Sequence, residues 1–307
     1  MIQTEDLSKQ FGNFWAVNGV NLEVNPGQVL ALLGQNGSGK TTTVRMLTSV
    51  LTPTRGTARI AGFDVVKNPE QVRALVGVLT EQHGLYLRMS ASEYLDFFGK
   101  VYQLDAATRR KRNLEWMEYF GLAEVASQPI GQYSKGMRQK LALVRTLIHE
   151  PPVLLLDEPT SAMDPESAQL VRNAIASLRN KERTIIICTH NLVEAEMLAD
   201  QIAIIYKGQI LTSGTVEELK RDLLGPAEYE VRLQGKWPRG TVNLPPGVTS
   251  LEKSETWSRF RIEDPHISNP IILKELAKRK AKVVALQELP RTLEQVYLAA
   301  MERVNRA

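Results

Sequence analysis

The chain has 307 residues, of which 43% are hydrophobic, so it is long enough for one large domain and a smaller one. This composition excludes a disordered or low-complexity protein, and the single cysteine, Cys188, excludes an intrachain disulfide and agrees with a reducing cytosol. The net charge of +4 suits a protein that handles an anionic nucleotide or lies near an anionic membrane surface, but it is too small to indicate nucleic acid.

The N-terminal part of the chain predicts strands that lead into a glycine-rich turn. Residues 2–24 are expected to form strands and turns, and the apolar run 29–33 is expected to form a buried strand. Residues 34–41 read Gly-Gln-Asn-Gly-Ser-Gly-Lys-Thr and run directly into a segment whose apolar residues recur at helical spacing. A buried strand, a glycine-rich turn and a helix in this order are the context that a phosphate-binding loop requires.

This turn is predicted to bind the phosphates of a nucleotide. Its glycines allow the backbone N–H groups to point inward, and the N-terminal end of the next helix adds a partial positive charge. Lys40 is expected to reach the β- and γ-phosphates, and the Thr41 hydroxyl is expected to occupy one position on Mg²⁺. The predicted nucleotide-binding residues of this segment are Gly34, Gln35, Asn36, Gly37, Ser38, Gly39, Lys40, Thr41 and Thr42.

The middle of the chain changes from strands to helices and back again. The helix after the turn is predicted to end at the Pro53 segment, and residues from about 88 to 150 have helical periods that predict an all-helical insertion. Apolar strands that alternate with helices after Pro152 predict a parallel sheet covered on both faces. The predicted strands of this core are 57–61, 76–79, 153–156, 184–188 and 202–206, and the predicted helices after Pro152 are 165–178 and 192–198.

A shift in composition at Gly225 predicts a domain boundary, with domains at residues 1–224 and 225–307. The second domain is expected to be small and α+β, with strands at 228–233, 257–262 and 282–286 and helices at 270–280 and 293–304. The predicted fold class is therefore α/β: a P-loop NTPase core with a helical insertion and a small antiparallel β subdomain, plus the C-terminal α+β domain.

Two consecutive carboxylates, Asp157 and Glu158, follow the fully apolar strand 153–156. In a chain with a phosphate-binding loop, a carboxylate at the end of a buried strand suits Mg²⁺, which favours Asp157 as a metal ligand. Glu158 is then expected to polarise the water that attacks the γ-phosphate, because phosphoryl hydrolysis needs a general base of this kind. The sequence thus predicts a nucleoside triphosphatase with Glu158 as a catalytic residue.

Three further segments complete a set of motifs around these two. They are Tyr133-Ser134-Lys135-Gly136-Met137-Arg138-Gln139-Lys140, Ser161-Ala162-Met163-Asp164 and Ile187-Cys188-Thr189-His190. In this order the motifs resemble those of the nucleotide-binding subunit of an ABC transporter, and the resemblance covers residues 1 to about 220.

This resemblance implies a head-to-tail dimer that closes on two ATP molecules, formed either by two copies or by one copy with a related ATPase. Ser134 and the N–H of Gly136 would then contact the γ-phosphate bound by the other subunit. His190 matches the family's switch histidine, a second catalytic residue that orients the γ-phosphate and the attacking water. Phe11 lies where the family has an aromatic ring stacked on adenine.

The chain departs from the family pattern in two segments. Tyr133, Lys135 and Met137 replace three residues of the usual signature Leu-Ser-Gly-Gly-Gln, although Ser134 and Gly136 are kept. In the loop that normally carries a metal-contacting glutamine, Glu81 rather than Gln82 falls at that position when residues are counted back from Leu85-Tyr86. Glu81 is therefore a third candidate Mg²⁺ ligand, and its extra charge near the γ-phosphate predicts slow hydrolysis.

The C-terminal stretch 286–298 is similar to the closing segment of ATPases that serve type-2 ABC exporters, which favours export through a separate membrane permease. With no run of 18 or more apolar residues, the protein is expected in the cytoplasm, held at the inner face of the membrane by that permease. Two alternatives remain open: a soluble ABC ATPase that acts on ribosomes or DNA, and a nucleotide-sensing regulator with little turnover. One phosphate loop and no sustained heptads disfavour the first, and Glu81 keeps the second open.

Overall fold

The structure is a computed structural model that describes residues 1–80, 84–161, 163–179, 182–238 and 242–306. The chain forms two compact units, Met1–Val216 and Glu217–Ala307. Within the described ranges, no helix is long and apolar enough to cross a membrane.

Two sheets and a set of helices build the first unit. Its strands are β1 (Ile2–Phe11), β2 (Phe14–Val24), β3 (Val29–Leu33), β4 (Arg55–Ile60), β5 (Phe63–Asp64), β6 (Val76–Leu79), β7 (Val153–Asp157), β8 (Thr184–Thr189), β9 (Gln201–Tyr206) and β10 (Gln209–Gly214). Its helices are α1 (Lys40–Leu47), α2 (Pro69–Leu75), α3 (Ala91–Val101), α4 (Ala106–Tyr119), α5 (Lys135–Leu147), α6 (Pro165–Leu178) and α7 (Leu192–Leu198).

The six-stranded central sheet has the order β10-β9-β3-β8-β7-β6. The strands from β9 to β6 pair in parallel, and β10 pairs antiparallel with β9 at one edge. All residues of β3, β7 and β8 are buried, which explains why these strands are continuous apolar runs rather than alternating ones. The predicted α/β core is confirmed.

Side chains of β7 show how the sheet separates two hydrophobic cores. Leu154 and Leu156 pack in the core that includes Tyr94 of α3 and Leu143 of α5, so this core lies on the side of the helical insertion. Val153 and Leu155 pack in the opposite core with residues of α1 and of the smaller sheet. Alternate residues of β7 therefore pack into the hydrophobic cores on the two faces of the sheet.

The smaller sheet of the first unit is antiparallel, with the order β2-β1-β4-β5. It confirms the predicted antiparallel β subdomain. Short elements that the sequence analysis did not predict are α2 and β10, while α1 ends at Leu47 and not at Pro53. Ser49 just beyond α1 has a φ of 58°, a left-handed conformation that does not continue a helix.

The second unit contains an antiparallel sheet and helices, as the α+β prediction required. Its strands are β11 (Ala227–Leu233), β12 (Val248–Lys253), β13 (Trp257–Ile262) and β14 (Val283–Glu288), in the order β12-β13-β11-β14. Its helices are α9 (Pro265–Lys278) and α10 (Leu293–Arg306), and α8 (Val216–Leu224) begins at the last residue of the first unit. Ile272 and Leu276 of α9 pack on Val231, Phe260 and Ile262 of the sheet.

The predicted start of α9 at Pro270 is wrong, because the helix begins at Pro265. The Asp264 carboxylate accepts hydrogen bonds from the N–H groups of His266 (3.0 Å) and Ile267 (3.2 Å), and proline at the first helical position needs no N–H partner. Pro270 lies inside the helix. Either Pro265 or Pro270 can occupy the first position of a helix, and α9 begins at Pro265 because Asp264 caps it.

Candidate active site

The predicted phosphate-binding loop joins the end of β3 to the start of α1. Gly39 is the residue before α1 and has a φ of 110°, a region that favours glycine. A Cβ atom at Gly39 would lie 2.7 Å from the Ala16 carbonyl oxygen, and one at Gly34 would lie 2.4 Å from the Ile205 carbonyl oxygen. Both positions therefore exclude a side chain, which explains why the loop needs glycine there.

Lys40, the first residue of α1, is a buried cation inside this loop. Its Nζ donates hydrogen bonds to the carbonyl oxygens of Gly34 at 2.6 Å and Gln35 at 3.2 Å. The N–H of Gly34 in turn donates to the Thr189 carbonyl oxygen at 3.2 Å, so the loop is anchored to the end of β8. The ammonium group is thus held where the loop turns, and its contact with phosphates stays a prediction.

Thr41 and Asp157 lie in direct contact although they are far apart in the sequence. The Thr41 Oγ1 donates a hydrogen bond to Asp157 Oδ2 at 2.7 Å, and Asp157 is a buried residue at the end of β7. A hydroxyl oxygen beside a carboxylate oxygen is a donor set of the kind that Mg²⁺ takes in nucleotide sites. The residues present therefore fit a Mg²⁺ ion. The third candidate ligand, Glu81, lies outside the described residues.

Glu158 directs its carboxylate to a different group of partners from Asp157. Its Oε1 lies 2.8 Å from His190 Nδ1 and 3.7 Å from Lys40 Nζ. Glu158 is buried and has a φ of 52°, which is strained for a residue with a side chain. Asp157 thus accepts the Thr41 hydroxyl, whereas Glu158 lies beside His190 and Lys40, and the different roles of the two acids stay a prediction.

Parallel pairing of β7 with β8 brings Glu158 and His190 together. Asp157 pairs with Cys188 in the register of the two strands, and the Glu158 N–H donates to the Cys188 carbonyl oxygen at 2.8 Å. On the other side, Gln139 of α5 donates its Nε2 to the carbonyl oxygens of Glu158 (3.2 Å) and Pro159 (3.0 Å). Gln139 belongs to the motif segment 133–140, but the sequence predicted no role for it.

An open cleft of about 460 Å³ lies along the phosphate-binding loop. It is lined by Phe11, Phe14 and Ala16, by the loop, and by Asp157 and Glu158. Phe11 and Phe14 are paired across the turn between β1 and β2, and Lys9 Nζ lies 5.4 Å from the centre of the Phe11 ring. The aromatic rings suit the base of a nucleotide, and the loop suits its phosphates.

Phe11 was predicted as the aromatic residue that stacks on adenine, whereas Phe14 and Ala16 were not predicted as site residues. A signal for Phe14 is present, because Gly12 and Asn13 form a two-residue turn between the two aromatics, and such a turn sets them opposite each other. The described residues that line the cleft do not include Ser134, Gly136 or His190.

Ser134 and Gly136 lie at the start of α5. The Ser134 Oγ accepts a hydrogen bond from the Met137 N–H at 3.2 Å, so Ser134 caps the helix, and its side chain is exposed. A capped helix start with an exposed serine is a surface on which backbone N–H groups face outward. The structure does not bring these residues into the cleft of the same chain.

Two family models match the chain, one inside the first compact unit and the other over nearly all of the second. The model described as ABC transporter matches residues 17–161, which span the phosphate-binding loop, Asp157 and Glu158. A second model, described as ATP-binding protein DrrA1-3-like, C-terminal domain, matches residues 214–301.

Known proteins similar to this chain agree with the family models. The ABC transporter ATP-binding protein NatA of Bacillus subtilis is 38% identical over 224 residues, covering 71% of this chain and 91% of that protein. The daunorubicin/doxorubicin resistance ATP-binding protein DrrA of Streptomyces peucetius is 34% identical over 303 residues, covering 97% and 91% of the two chains. A solved ATP-binding subunit of an ABC transporter superimposes with a TM-score of 0.69 at 28% identity, covering 73% of this chain and 94% of that one. The chain therefore belongs to the ABC transporter family, as one of its ATP-binding subunits with ATPase activity.

Proposed function

We propose that this protein hydrolyses Mg²⁺-ATP to power export through a separate membrane permease. The observation that carries the proposal is the meeting of Lys40, Glu158 and His190 beside the Thr41–Asp157 pair. These residues supply a cation for phosphate, a base, a polar orienting group and oxygen ligands for a metal. Phosphoryl hydrolysis needs this combination because its catalysis consists mainly of positioning and charge stabilisation.

Each residue has a separate role in the proposed reaction. Bound Mg²⁺ would neutralise charge on the β- and γ-phosphates, and Thr41 and Asp157 are the residues that would hold it. Lys40 exchanges its loop carbonyls for phosphate oxygens. Glu158 accepts the proton of the attacking water, and His190 keeps the Glu158 carboxylate oriented while it contacts the γ-phosphate.

The catalytic unit is proposed to be a head-to-tail dimer. Ser134 and Gly136 lie outside the cleft of their own chain, on a capped helix start that is exposed. A second subunit that presents this helix to the γ-phosphate completes the site, because the N-terminal end of a helix stabilises an anion. The partner is a second copy or a related ATPase.

Export is favoured by the C-terminal part of the chain. The DrrA-like C-terminal model matches residues 214–301, and the similarity to DrrA itself, a daunorubicin/doxorubicin resistance protein, extends over 97% of this chain. We propose that residues 225–307 form the accessory domain of this exporter type. The ATPase would then act at the cytoplasmic face of the membrane, bound there by its permease.

The export proposal is tested with inverted membrane vesicles that contain a candidate permease with about six membrane-spanning segments. Vesicles loaded with the wild-type ATPase are expected to accumulate daunorubicin or a related amphipathic cation when Mg²⁺-ATP is added, and vesicles with Lys40→Ala are expected not to. ATP hydrolysis that is neither stimulated by the permease nor coupled to uptake of any offered compound contradicts the exporter assignment. A very slow basal turnover, with ATP binding intact, would favour the nucleotide-sensing regulator that Glu81 keeps open.

A further inference from the structure

Glu194 is a buried carboxylate near the candidate active site that the roles given above do not explain. It lies in the first turn of α7 and is 1% exposed. Its Oε1 accepts a hydrogen bond from Thr160 Oγ1 at 2.9 Å, and its carboxylate also lies near the Thr189 hydroxyl. One carboxylate therefore holds two hydroxyl groups that belong to different segments.

These two hydroxyl groups flank the proposed catalytic pair. Thr160 lies two residues after Glu158, and Thr189 directly precedes His190. The parallel ladder between β7 and β8 ends with the pair Asp157 and Cys188, followed by the bond from the Glu158 N–H to the Cys188 carbonyl. Beyond that point the Glu194 carboxylate bridges the two segments through these hydroxyl groups.

The conformation of Glu158 shows that this region is held under constraint. Its φ of 52° is unfavourable for a residue with a side chain, and such residues keep their conformation only where several neighbouring contacts hold them. Gln139 holds the carbonyl oxygens of Glu158 and Pro159 from the side of α5. The bond from Thr160 to Glu194 holds the same turn from the side of α7.

A buried acid is a costly choice if packing is its only purpose. Burial raises the pKa of Glu194, the hydrogen bonds from Thr189 and Thr160 oppose that rise, and the nearby charge of Glu158 adds to it. An apolar side chain of similar size would fill the same space without the desolvation cost. The two hydroxyl contacts are thus the feature that a carboxylate supplies and an apolar residue does not.

We propose that Glu194 is a positioning residue for ATP hydrolysis: by joining Thr160 to Thr189, it sets the distance between Glu158 and His190. The proposal rests on the proposed roles of Glu158 and His190, and it assigns no contact between Glu194 and ATP.

The test compares steady-state ATP hydrolysis by the full-length protein and its variants. Glu194→Ala and Thr160→Val are expected to lower kcat roughly 10- to 100-fold, because small displacements of reacting groups cost this much, while the KM for ATP stays close to wild type. Glu194→Gln keeps an oxygen that accepts both hydroxyl groups, so its kcat should lie well above that of Glu194→Ala. Glu196→Ala, which changes an exposed acid of the same helix, is the matched control and should match wild type.

A second measurement separates positioning from general destabilisation. His190→Ala is made both in the wild-type protein and in Glu194→Ala, and the two fold-losses in kcat are compared. If Glu194 positions Glu158 and His190, His190→Ala lowers kcat by a much smaller factor in the Glu194→Ala protein than in the wild-type protein. Equal losses in the two backgrounds, or a Thr160→Val protein with wild-type kcat and melting temperature, would overturn the proposal. Glu158→Gln is assayed alongside: if it lowers turnover while the Glu194 and Thr160 variants do not, only the positioning role fails.

Discussion

His190 Nδ1 lies 2.8 Å from Glu158 Oε1, and the same carboxylate oxygen lies 3.7 Å from Lys40 Nζ. In the tautomer that carries its proton on Nδ1, His190 donates this hydrogen bond and its other ring nitrogen remains available to a second group. One oxygen of the proposed base therefore faces both the residue that follows β8 and the lysine of the phosphate-binding loop. This arrangement fixes the direction of the carboxylate before any water is activated.

Lys40→Ala is expected to abolish ATP hydrolysis and to weaken nucleotide binding severely. The substitution removes a buried ammonium that the loop carbonyls hold in place, and charge-assisted bonds to phosphate are among the strongest polar contacts. Phosphate release and titration with a fluorescent ATP analogue measure the two effects. Lys100→Ala, which removes a surface partner of Asp96, is the control. Near wild-type hydrolysis by Lys40→Ala would remove the phosphate-binding loop from the mechanism.

Glu158→Gln is expected to lower turnover by roughly 10²- to 10⁴-fold, with little change in ATP affinity. Glutamine preserves the size and a hydrogen-bonding oxygen, but it cannot take the proton from water. Single-turnover hydrolysis and equilibrium ATP binding together separate the two quantities. A variant that keeps more than about a tenth of wild-type turnover means that the base lies elsewhere, with Glu81 the first residue to substitute.

Asp157→Asn is expected to change the dependence on Mg²⁺ rather than the proton transfer. The carboxylate beside Thr41 Oγ1 loses its charge, so the Mg²⁺ concentration for half-maximal activity should rise by roughly tenfold or more. A Mg²⁺ titration of the hydrolysis rate provides the measurement, and Glu158→Gln, whose midpoint should be unchanged, provides the comparison. An identical shift in both variants would mean that the two acids do not have separate roles.

The isolated protein is expected to be largely monomeric without nucleotide and to dimerise with ATP when hydrolysis is blocked by Glu158→Gln. The reason is that Ser134 and Gly136 lie outside the cleft of their own chain, so a second subunit must supply them. Sedimentation velocity with and without ATP measures the change in mass. Adding Ser134→Arg to that variant should prevent dimerisation. The same mass with and without ATP, also in the presence of the permease, would contradict the dimer.

Strands of the central sheet could be predicted because burial on both faces makes them continuous apolar runs. Val153–Asp157 is the clearest case, since its run of Val and Leu has no other stable location than the interior. Val248–Lys253 was missed because an edge strand with four exposed residues is mostly polar. The helix Pro165–Leu178 was predicted with its observed ends, since Asp164 caps it and Pro165 begins it.

Sequence motifs identified the site residues, but not how they contact each other. The order of motifs pointed to Glu158 and His190, and the 2.8 Å contact follows only from the register of β7 with β8. Glu194 was not predicted because a buried glutamate on a helix carries no pattern of its own, and Gln139 lies in the motif segment 133–140 without a predicted role. Their roles depend on which backbone groups and hydroxyls lie opposite, and a linear sequence does not contain that information.

The chain's single cysteine has a practical consequence for spectroscopy. Cys188 is completely buried in β8, and burial raises the pKa of its thiol, so the reactive thiolate is scarce in the folded protein. A maleimide dye should therefore leave the native protein unlabelled. Lys135→Cys would then offer one exposed thiol between Ser134 and Gly136, and a fluorophore there would report the approach of a second subunit in real time, with the native cysteine left in place.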